Sequence, residues 1–237
     1  VVIFDRRALP NFAKKAYNKD MNVTHTPLKA LLEGARTKEY ERGQLILYKD
    51  DKLIETLILY EGIVKLFDID DKGQEKVLQI IKAPAVLPLD CLFDVPSTIS
   101  WHYGALTNVK ASVYSPKELH KQITRSPLLS AYIINWLAVE SHELLVRLNG
   151  TNKTEAIDKI VAVLRFFAVY YTGPARRGWK QVEFPVTHQL LADIAGITRE
   201  SATIQMGHLQ REKIIRTRRP YLELHVERLK EFNHVKE

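Results

Sequence analysis

From residue 38 to 116 the apolar positions fall in short runs broken by turn residues: QLILY (44–48), TLILYEGIVKLFDI (56–69), EKVLQII (75–81) and VKASVYS (109–115). Successive side chains of a strand point to opposite faces. Within IVKLFDI this puts Ile63, Lys65, Phe67 and Ile69 on one face and Val64, Leu66 and Asp68 on the other. Lys72-Gly73 then closes a hairpin with the next strand. Many short strands at this spacing predict a sandwich or a barrel. Upstream, TPLKALLEGAR (26–36) reads as a short helix, with Thr26 as its cap, Pro27 in its first turn and Leu28, Leu31 and Leu32 on one apolar face.

After Pro127 the period turns helical. LLSAYIINWLAVESHELLVRLNG carries Ile134, Ala138, Ser141, Leu145 and Leu148 at alternating steps of four and three. Leu137 and Leu144 widen that stripe, and Asn149-Gly150 ends it. A helix this apolar is either core or a seam between helices, and the pattern by itself leaves both open. A second helix over residues 154–171 stops at Thr172-Gly173-Pro174. Residues 173–182 form a linking loop or an edge hairpin.

The most informative stretch is 185–217, PVTHQLLADIAGITRESATIQMGHLQREKIIRT. Thr187 caps a helix that buries Leu190, Leu191 and Ile194, and Gly196 supplies the positive φ of a sharp bend between helices. Thr198 caps a second helix whose inward positions are Ala202, Met206 and Leu209. Small residues at Ala192 and Ala202 let two helices cross closely, which is what a helix-turn-helix requires. The exposed start of the second helix holds Arg199, Glu200, Ser201 and Thr203. These groups can read base edges: Arg to guanine O6 and N7, Glu to the cytosine amino group, Thr through a hydroxyl and a methyl. Ile214-Ile215 begins a strand, Arg216, Arg218, Arg219 and Pro220 make a basic tip, and YLELHV (221–226) returns as a strand, the outline of a wing.

Charge agrees with that reading. Of the net +7, residues 1–149 hold 20 Lys+Arg against 18 Asp+Glu, whereas residues 150–237 hold 15 against 10. A basic half favours a polyanion partner. Cys91 is the only cysteine, which excludes an intrachain disulfide and a cysteine-ligated cluster or Cys₄ zinc site within one chain, and fits a reducing cytoplasm. No run approaches the roughly 18 apolar residues that would span a bilayer, so no membrane partner is expected. The basic segment VVIFDRRALPNFAKKAYNKD lacks the apolar stretch of a signal peptide, and Met21 is a candidate start that would make residues 1–20 an extension. The turn Asp68-Ile69-Asp70-Asp71-Lys72-Gly73 has Lys72 and Gln79 where a calcium loop needs carboxylates and reads as a solvated hairpin. There is no phosphate loop, no zinc-protease spacing after His142-Glu143 and no nucleophile elbow, so the chain is not read as an enzyme.

The segment LLADIAGITRESATIQMGHLQREKIIR closely resembles the DNA-binding domain of the cyclic-AMP-receptor and fumarate–nitrate-reductase-regulator (Crp-Fnr) superfamily. YERGQLILYKDDKLIETLILYEGIVKLFDIDDKGQEKVL resembles the sensor domain of the same family, with Gly43, Gly62 and Gly73 where those barrels turn. The resemblance covers roughly residues 26–235. It implies an α+β chain with an extension (1–25), a double-stranded β-helix sensor barrel of jelly-roll type (26–126), a long dimerisation helix (127–150) and a winged helix-turn-helix (151–237). It implies a homodimer paired through Ile134, Ala138, Ser141, Leu145 and Leu148, bound to a pseudo-palindromic site on double-stranded DNA, with RNA polymerase as a candidate further partner. Arg199, Glu200, Ser201 and Thr203 are then the base-reading candidates, and Thr187, His188, Thr198, Arg216, Arg218 and Arg219 the phosphate contacts. A competing reading is a protein–protein interaction module with a degenerate sensor barrel.

Two departures limit the resemblance. Position 204, where members commonly carry a second contacting Arg, is Ile204, and the usually apolar next position is Gln205. Either Ile204 packs on thymine methyls, or the helix is rotated and Gln205 faces outward. In the sensor segment, cyclic-nucleotide members hold the ligand with a Gly-Glu pair and an Arg. APAVLPLDCLFDVPSTISWHYGAL (83–106) has Pro88-Leu89-Asp90 instead, and no arginine occurs between Arg42 and Arg125. Cyclic-nucleotide binding is therefore not expected, no cofactor is expected, and His102 and Cys91 are read as structural rather than as haem ligands. The effector is left unknown.

Overall fold

A computed structural model describes residues 27–32, 35–88, 98–175 and 178–232. The chain divides into two compact units whose boundary in sequence falls between Val139 and Glu140.

Among the described residues the N-terminal unit forms β1 (Arg36–Tyr40), β2 (Leu45–Leu47), β3 (Thr56–Glu61), β4 (Ile63–Ile69), β5 (Glu75–Lys82), β6 (Ala85–Leu87), β7 (His102–Ala105) and β8 (Val109–Tyr114). They form two antiparallel four-stranded sheets, in the orders β1-β8-β3-β6 and β2-β7-β4-β5. The run 56–69, continuous in its hydrophobicity, is thus two strands in different sheets. The break is Gly62, at φ +104°, where a Cβ would come within 2.4 Å of the Asn108 carbonyl oxygen. Only glycine satisfies both demands. Leu57 and Leu59 from one sheet meet Val64, Leu66, Ile81 and Tyr103 from the other in a single apolar core.

The alternation expected along β4 is blurred, since Ile63 and Phe67 are buried along with Val64 and Leu66. Its pairing with β5 slips between Leu66 and Phe67, and Phe67 lies stacked on His102 and under the Lys65 ammonium. The β4–β5 turn is held by Asp70, whose Oδ1 accepts from the backbone N–H groups of Lys72 and Gln74 at 2.8 and 2.9 Å. That is the local hydrogen bonding of a solvated Asx turn, as expected.

Two readings need correction here. The helix expected over 26–36 is only a 3₁₀ turn, Pro27–Leu31, and Arg36–Tyr40 instead pairs with β8 from Arg36↔Val113 to Tyr40↔Val109. A sheet edge with ladder partners outweighs a helix of about three turns, which is marginal on its own. The helix α1 (Pro116–Arg125) was not anticipated between the last strand and Pro127, although its signal is present. Ser115 accepts from the Glu118 N–H at 3.2 Å, Pro116 begins the helix, and Leu119 and Ile123 enter the core.

Helix α2 (Pro127–Thr151) runs across the division between the units. In the N-terminal unit it lays Leu129, Ile133 and Trp136 on the core. Leu137, expected to widen the stripe, is only partly buried and packs against that core. Ile134, Leu145 and Leu148 are 61, 64 and 52% exposed, and Ala138 and Ser141 are exposed with them. The helix ends at Thr151, one residue past the expected Asn149-Gly150 stop, and Gly150 is buried there, where a Cβ would come 2.8 Å from that of Ala162.

The C-terminal unit contains α3 (Ala156–Tyr170), β9 (Trp179–Gln181), α4 (His188–Ala195), α5 (Arg199–Arg211), β10 (Ile215–Arg218), β11 (Tyr221–His225) and α6 (Val226–Glu231). The three strands form one antiparallel sheet, β10-β11-β9, so of the two readings of 173–182, loop or edge hairpin, the end of the segment supplies an edge strand. Phe167, Tyr171 and Phe184 pack edge to face at centroid distances of 5.2 to 6.1 Å. The Arg165 guanidinium donates to the carbonyls of Leu229, Lys230 and Phe232, fixing the end of α6.

Candidate nucleic-acid interface

The helix-turn-helix is built by three local devices. Thr187 Oγ1 accepts from the Leu190 N–H at 3.0 Å and starts α4. Gly196, at φ 63° and ψ 46°, ends it in the left-handed conformation, with the N–H groups of Gly196 and Ile197 both returning to the Ala192 carbonyl. Thr198 Oγ1 accepts from the Ser201 N–H at 3.2 Å and starts α5. Between the two helices Leu191, Ala192, Ile194, Ala202, Met206 and Leu209 are buried. The small side chains of Ala192 and Ala202 permit that close crossing.

With Ala202, Met206 and Leu209 turned inward, Arg199, Glu200, Thr203 and Ile204 are exposed, while Ser201 and Gln205 are half-buried. Ile204 faces out, and Gln205 is the less exposed of the two. Among the described residues neither Arg199 nor Glu200 has an ion-pair partner. Thr203 is different. Its hydroxyl donates to the Arg199 carbonyl at 2.8 Å and stands 2.9 Å from His188 Nδ1. The Thr203 hydroxyl is thus engaged on both sides, by the carbonyl and by the imidazole. Thr203 therefore ties α5 to the first turn of α4, and its methyl is the part left uncommitted.

The basic tip resolves into two kinds of arginine. Arg216 pairs with Glu223 directly across the β10–β11 ladder and lies 4.3 Å from the centroid of the Trp179 ring. It is thereby bound into the wing's own framework. Arg218 is more open, with Nε 3.4 Å from Glu223, and Arg219 is exposed at the turn with no ion-pair partner among the described residues. Gln210 Nε2 donates to Thr217 Oγ1 at 2.8 Å and fastens β10 to the last turn of α5. The supporting roles of Trp179 and Glu223 were not anticipated. Centring the hairpin turn on Arg219-Pro220 would have placed Glu223 opposite Arg216.

The strongly perturbed titratable groups of this unit are not on α4 or α5. Glu143, on α2, is 2% exposed, and burial raises its carboxyl well above the usual carboxylate range, with a Tyr171 hydrogen bond opposing the rise. Burial, then the neighbouring Glu143, pushes the Tyr171 hydroxyl up in turn. Of the sensor segment, Leu89, Asp90 and Cys91 lie outside the described residues. Among the described residues no cluster of three His, Cys, Asp or Glu could hold a metal ion, and no helix is long and apolar enough to cross a membrane.

Residues 159–232 match the Crp-like helix-turn-helix domain. Along most of its length the chain is also similar to the global nitrogen regulator of Synechococcus elongatus, at 22% identity over 84% of this chain and 86% of that protein. The listeriolysin regulatory protein of Listeria monocytogenes is 24% identical over 82% of this chain and 84% of its own length. Residues 159–232 thus carry a Crp-like helix-turn-helix domain. The chain's sequence and structure match those of Crp-Fnr-type transcription regulators with a DNA-binding helix-turn-helix domain. Solved structures agree on the fold. The c-di-GMP-responsive global regulator CLP of Xanthomonas campestris superposes with a TM-score of 0.70 at 18% identity, over 84% of this chain and 97% of that one. A CooA variant from Carboxydothermus hydrogenoformans gives 0.70 at 15% identity, over 89% and 94%.

Proposed function

We propose that the protein is a sequence-specific regulator that acts as a homodimer on a pseudo-palindromic operator and is not controlled by a cyclic nucleotide. The observation that carries this reading is the outward face of α5: Arg199 and Glu200 stand exposed, without ion-pair partners among the described residues, at the start of a helix held rigidly by two threonine caps and a glycine turn. Arg199 reads a guanine and Glu200 accepts from a cytosine amino group, with Ser201 secondary and Thr203 contributing its methyl. Thr187, His188 and Thr198, at the starts of the two helices, meet phosphates, as do Arg218 and Arg219 on the wing. Arg216 acts mainly through the wing's framework.

Pairing follows the exposed stripe Ile134, Ala138, Ser141, Leu145 and Leu148, which one chain leaves uncovered. A two-fold axis through that seam presents two copies of α5 to successive major grooves. The two sheets of the N-terminal unit support a jelly-roll double-stranded β-helix over 26–126, joined through 127–150 to a winged helix-turn-helix in 151–237. Its effector is not a cyclic nucleotide, because no arginine between Arg42 and Arg125 can fork onto a phosphate. A regulator of this kind works in the cytoplasm, with RNA polymerase as its further partner.

Selection of bound sequences from random duplexes, followed by salt titration on the enriched site, tests the reading. The expected result is an inverted repeat with half-sites about one helical turn apart, bound with an affinity that falls steeply with salt. Recovery of no common sequence would refute it.

A further inference from the structure

Resting on the assignment of α5 as the base-reading helix, we propose that its second turn reads a methyl group. Ile204, flanked by the methyl of Thr203, packs on the 5-methyl of a thymine in each half-site.

At roughly 100° per residue, Ile204 falls within about 20° of the direction opposite the buried Ala202, Met206 and Leu209. No large apolar side chain could be placed further from the core, and Ile204 is accordingly 65% exposed. An isolated exposed apolar residue is ordinary on a protein surface. This one stands four residues after Glu200, on a face that also carries the charged Glu200 and Arg211. The adjacent hydroxyl of Thr203 is occupied by the Arg199 carbonyl and His188, which leaves its methyl beside Ile204. Three residues further on is Gly207, within the helix, where an added Cβ would meet nothing within 4 Å. Glycine in a helix interior costs about 1 kcal/mol relative to alanine. No packing within the described residues requires it there. A low helix surface beside Ile204 suits close approach of the helix to another molecule.

The reading surface therefore changes character along α5, from charged at Arg199 and Glu200 to apolar at Thr203, Ile204 and Gly207. In the major groove the apolar base feature is the C5-methyl of thymine, shared by 5-methylcytosine. A turn of helix advances about 5.4 Å, so the thymine lies one or two base pairs from the pair read by Glu200.

Uracil removes the methyl and leaves every hydrogen-bonding group of thymine in place. Thymines of the selected operator are replaced by uracil one at a time, and binding is measured by fluorescence anisotropy for the parent and for Ile204→Ala. One thymine in each half-site should be sensitive. Uracil there should weaken the parent about three- to fivefold per half-site, the value of one buried methyl, and should leave Ile204→Ala unchanged. Restoring the methyl as 5-methylcytosine, in a C·G pair at that position, should recover part of the loss relative to cytosine for the parent only. The proposal is overturned if uracil is neutral for the parent at every position, or if Ile204→Ala keeps the same sensitivity. Failure to prefer operator over scrambled duplex would instead remove the underlying assignment of α5.

Discussion

Replacing Leu145 and Leu148 together with glutamate should convert the protein from dimer to monomer. In one chain these side chains retain 64 and 52% of their exposure. Complete burial of a leucine stabilises by about 1.5–3 kcal/mol. Covering the fractions still exposed therefore yields roughly 2–3.5 kcal/mol per protomer, and the two-fold axis doubles this to about 3.5–7 kcal/mol per dimer. That corresponds to a dissociation constant raised by about two to five orders of magnitude, and the introduced like charges facing one another add to the effect. Sedimentation equilibrium over nanomolar to high micromolar concentrations measures both proteins. Circular dichroism should be unchanged, because neither residue lies in the core. A parent that sediments as a monomer at micromolar concentration, with and without DNA, would refute the seam. So would a double variant that dimerises as tightly as the parent.

Four further outcomes follow from the sequence and the geometry. Arg218→Ala with Arg219→Ala should weaken operator and scrambled duplex alike, and should flatten the plot of log K against log salt by about 0.9 for each phosphate no longer neutralised. Arg216→Ala should chiefly lower the melting temperature, because that side chain is held by Glu223 and Trp179. Thermal-shift and calorimetric titrations with cyclic AMP or cyclic GMP to about 1 mM should give no response; a Kd tighter than about 100 μM, or about 5 kcal/mol of binding, would contradict the argument from the missing arginine. Finally, Glu143→Gln should stabilise the protein at pH 8 by on the order of 1–3 kcal/mol and have little effect at pH 4. The buried carboxyl titrates above its usual 4.5, so stability is complete below that value and is lost as pH rises through the folded-state value. Denaturant unfolding at several pH values checks this, and an unchanged pH dependence in the variant would disprove it.

The helix-turn-helix was legible almost residue by residue because its determinants are local. Thr187, Gly196 and Thr198 act on backbone groups within a few positions of themselves, and Ala192 and Ala202 only have to be small. The N-terminal unit was legible as short strands but not as a topology. The corner at Gly62 depends on Asn108, 46 residues away, and β1 exists because β8 pairs with it. Such ladder partners leave no periodic trace in a five-residue segment like RTKEY. The exposed stripe on α2 lay between these cases: its spacing was visible, but whether one chain buries it was decided only by which face Leu129, Ile133 and Trp136 take into the core. In the interface, the exposure of Arg199 and Glu200 was foreseen. The engagement of the Thr203 hydroxyl with His188 was not, because it joins two helices through side chains.

The central claim is that α5 reads base sequence, and Arg199→Ala tests it most directly. The variant and the parent are measured by anisotropy on the selected operator and on a scrambled duplex, at two or more salt concentrations. Arg199 stands exposed on the first turn and has no ion-pair partner among the described residues, so the fold is retained. The account predicts a loss of about 1–3 kcal/mol per half-site on the operator, a much smaller loss on the scrambled duplex, and an almost unchanged salt slope. An equal loss on both duplexes would mean that Arg199 merely anchors to the backbone, and would contradict the assignment of Arg199–Arg211 as the reading helix.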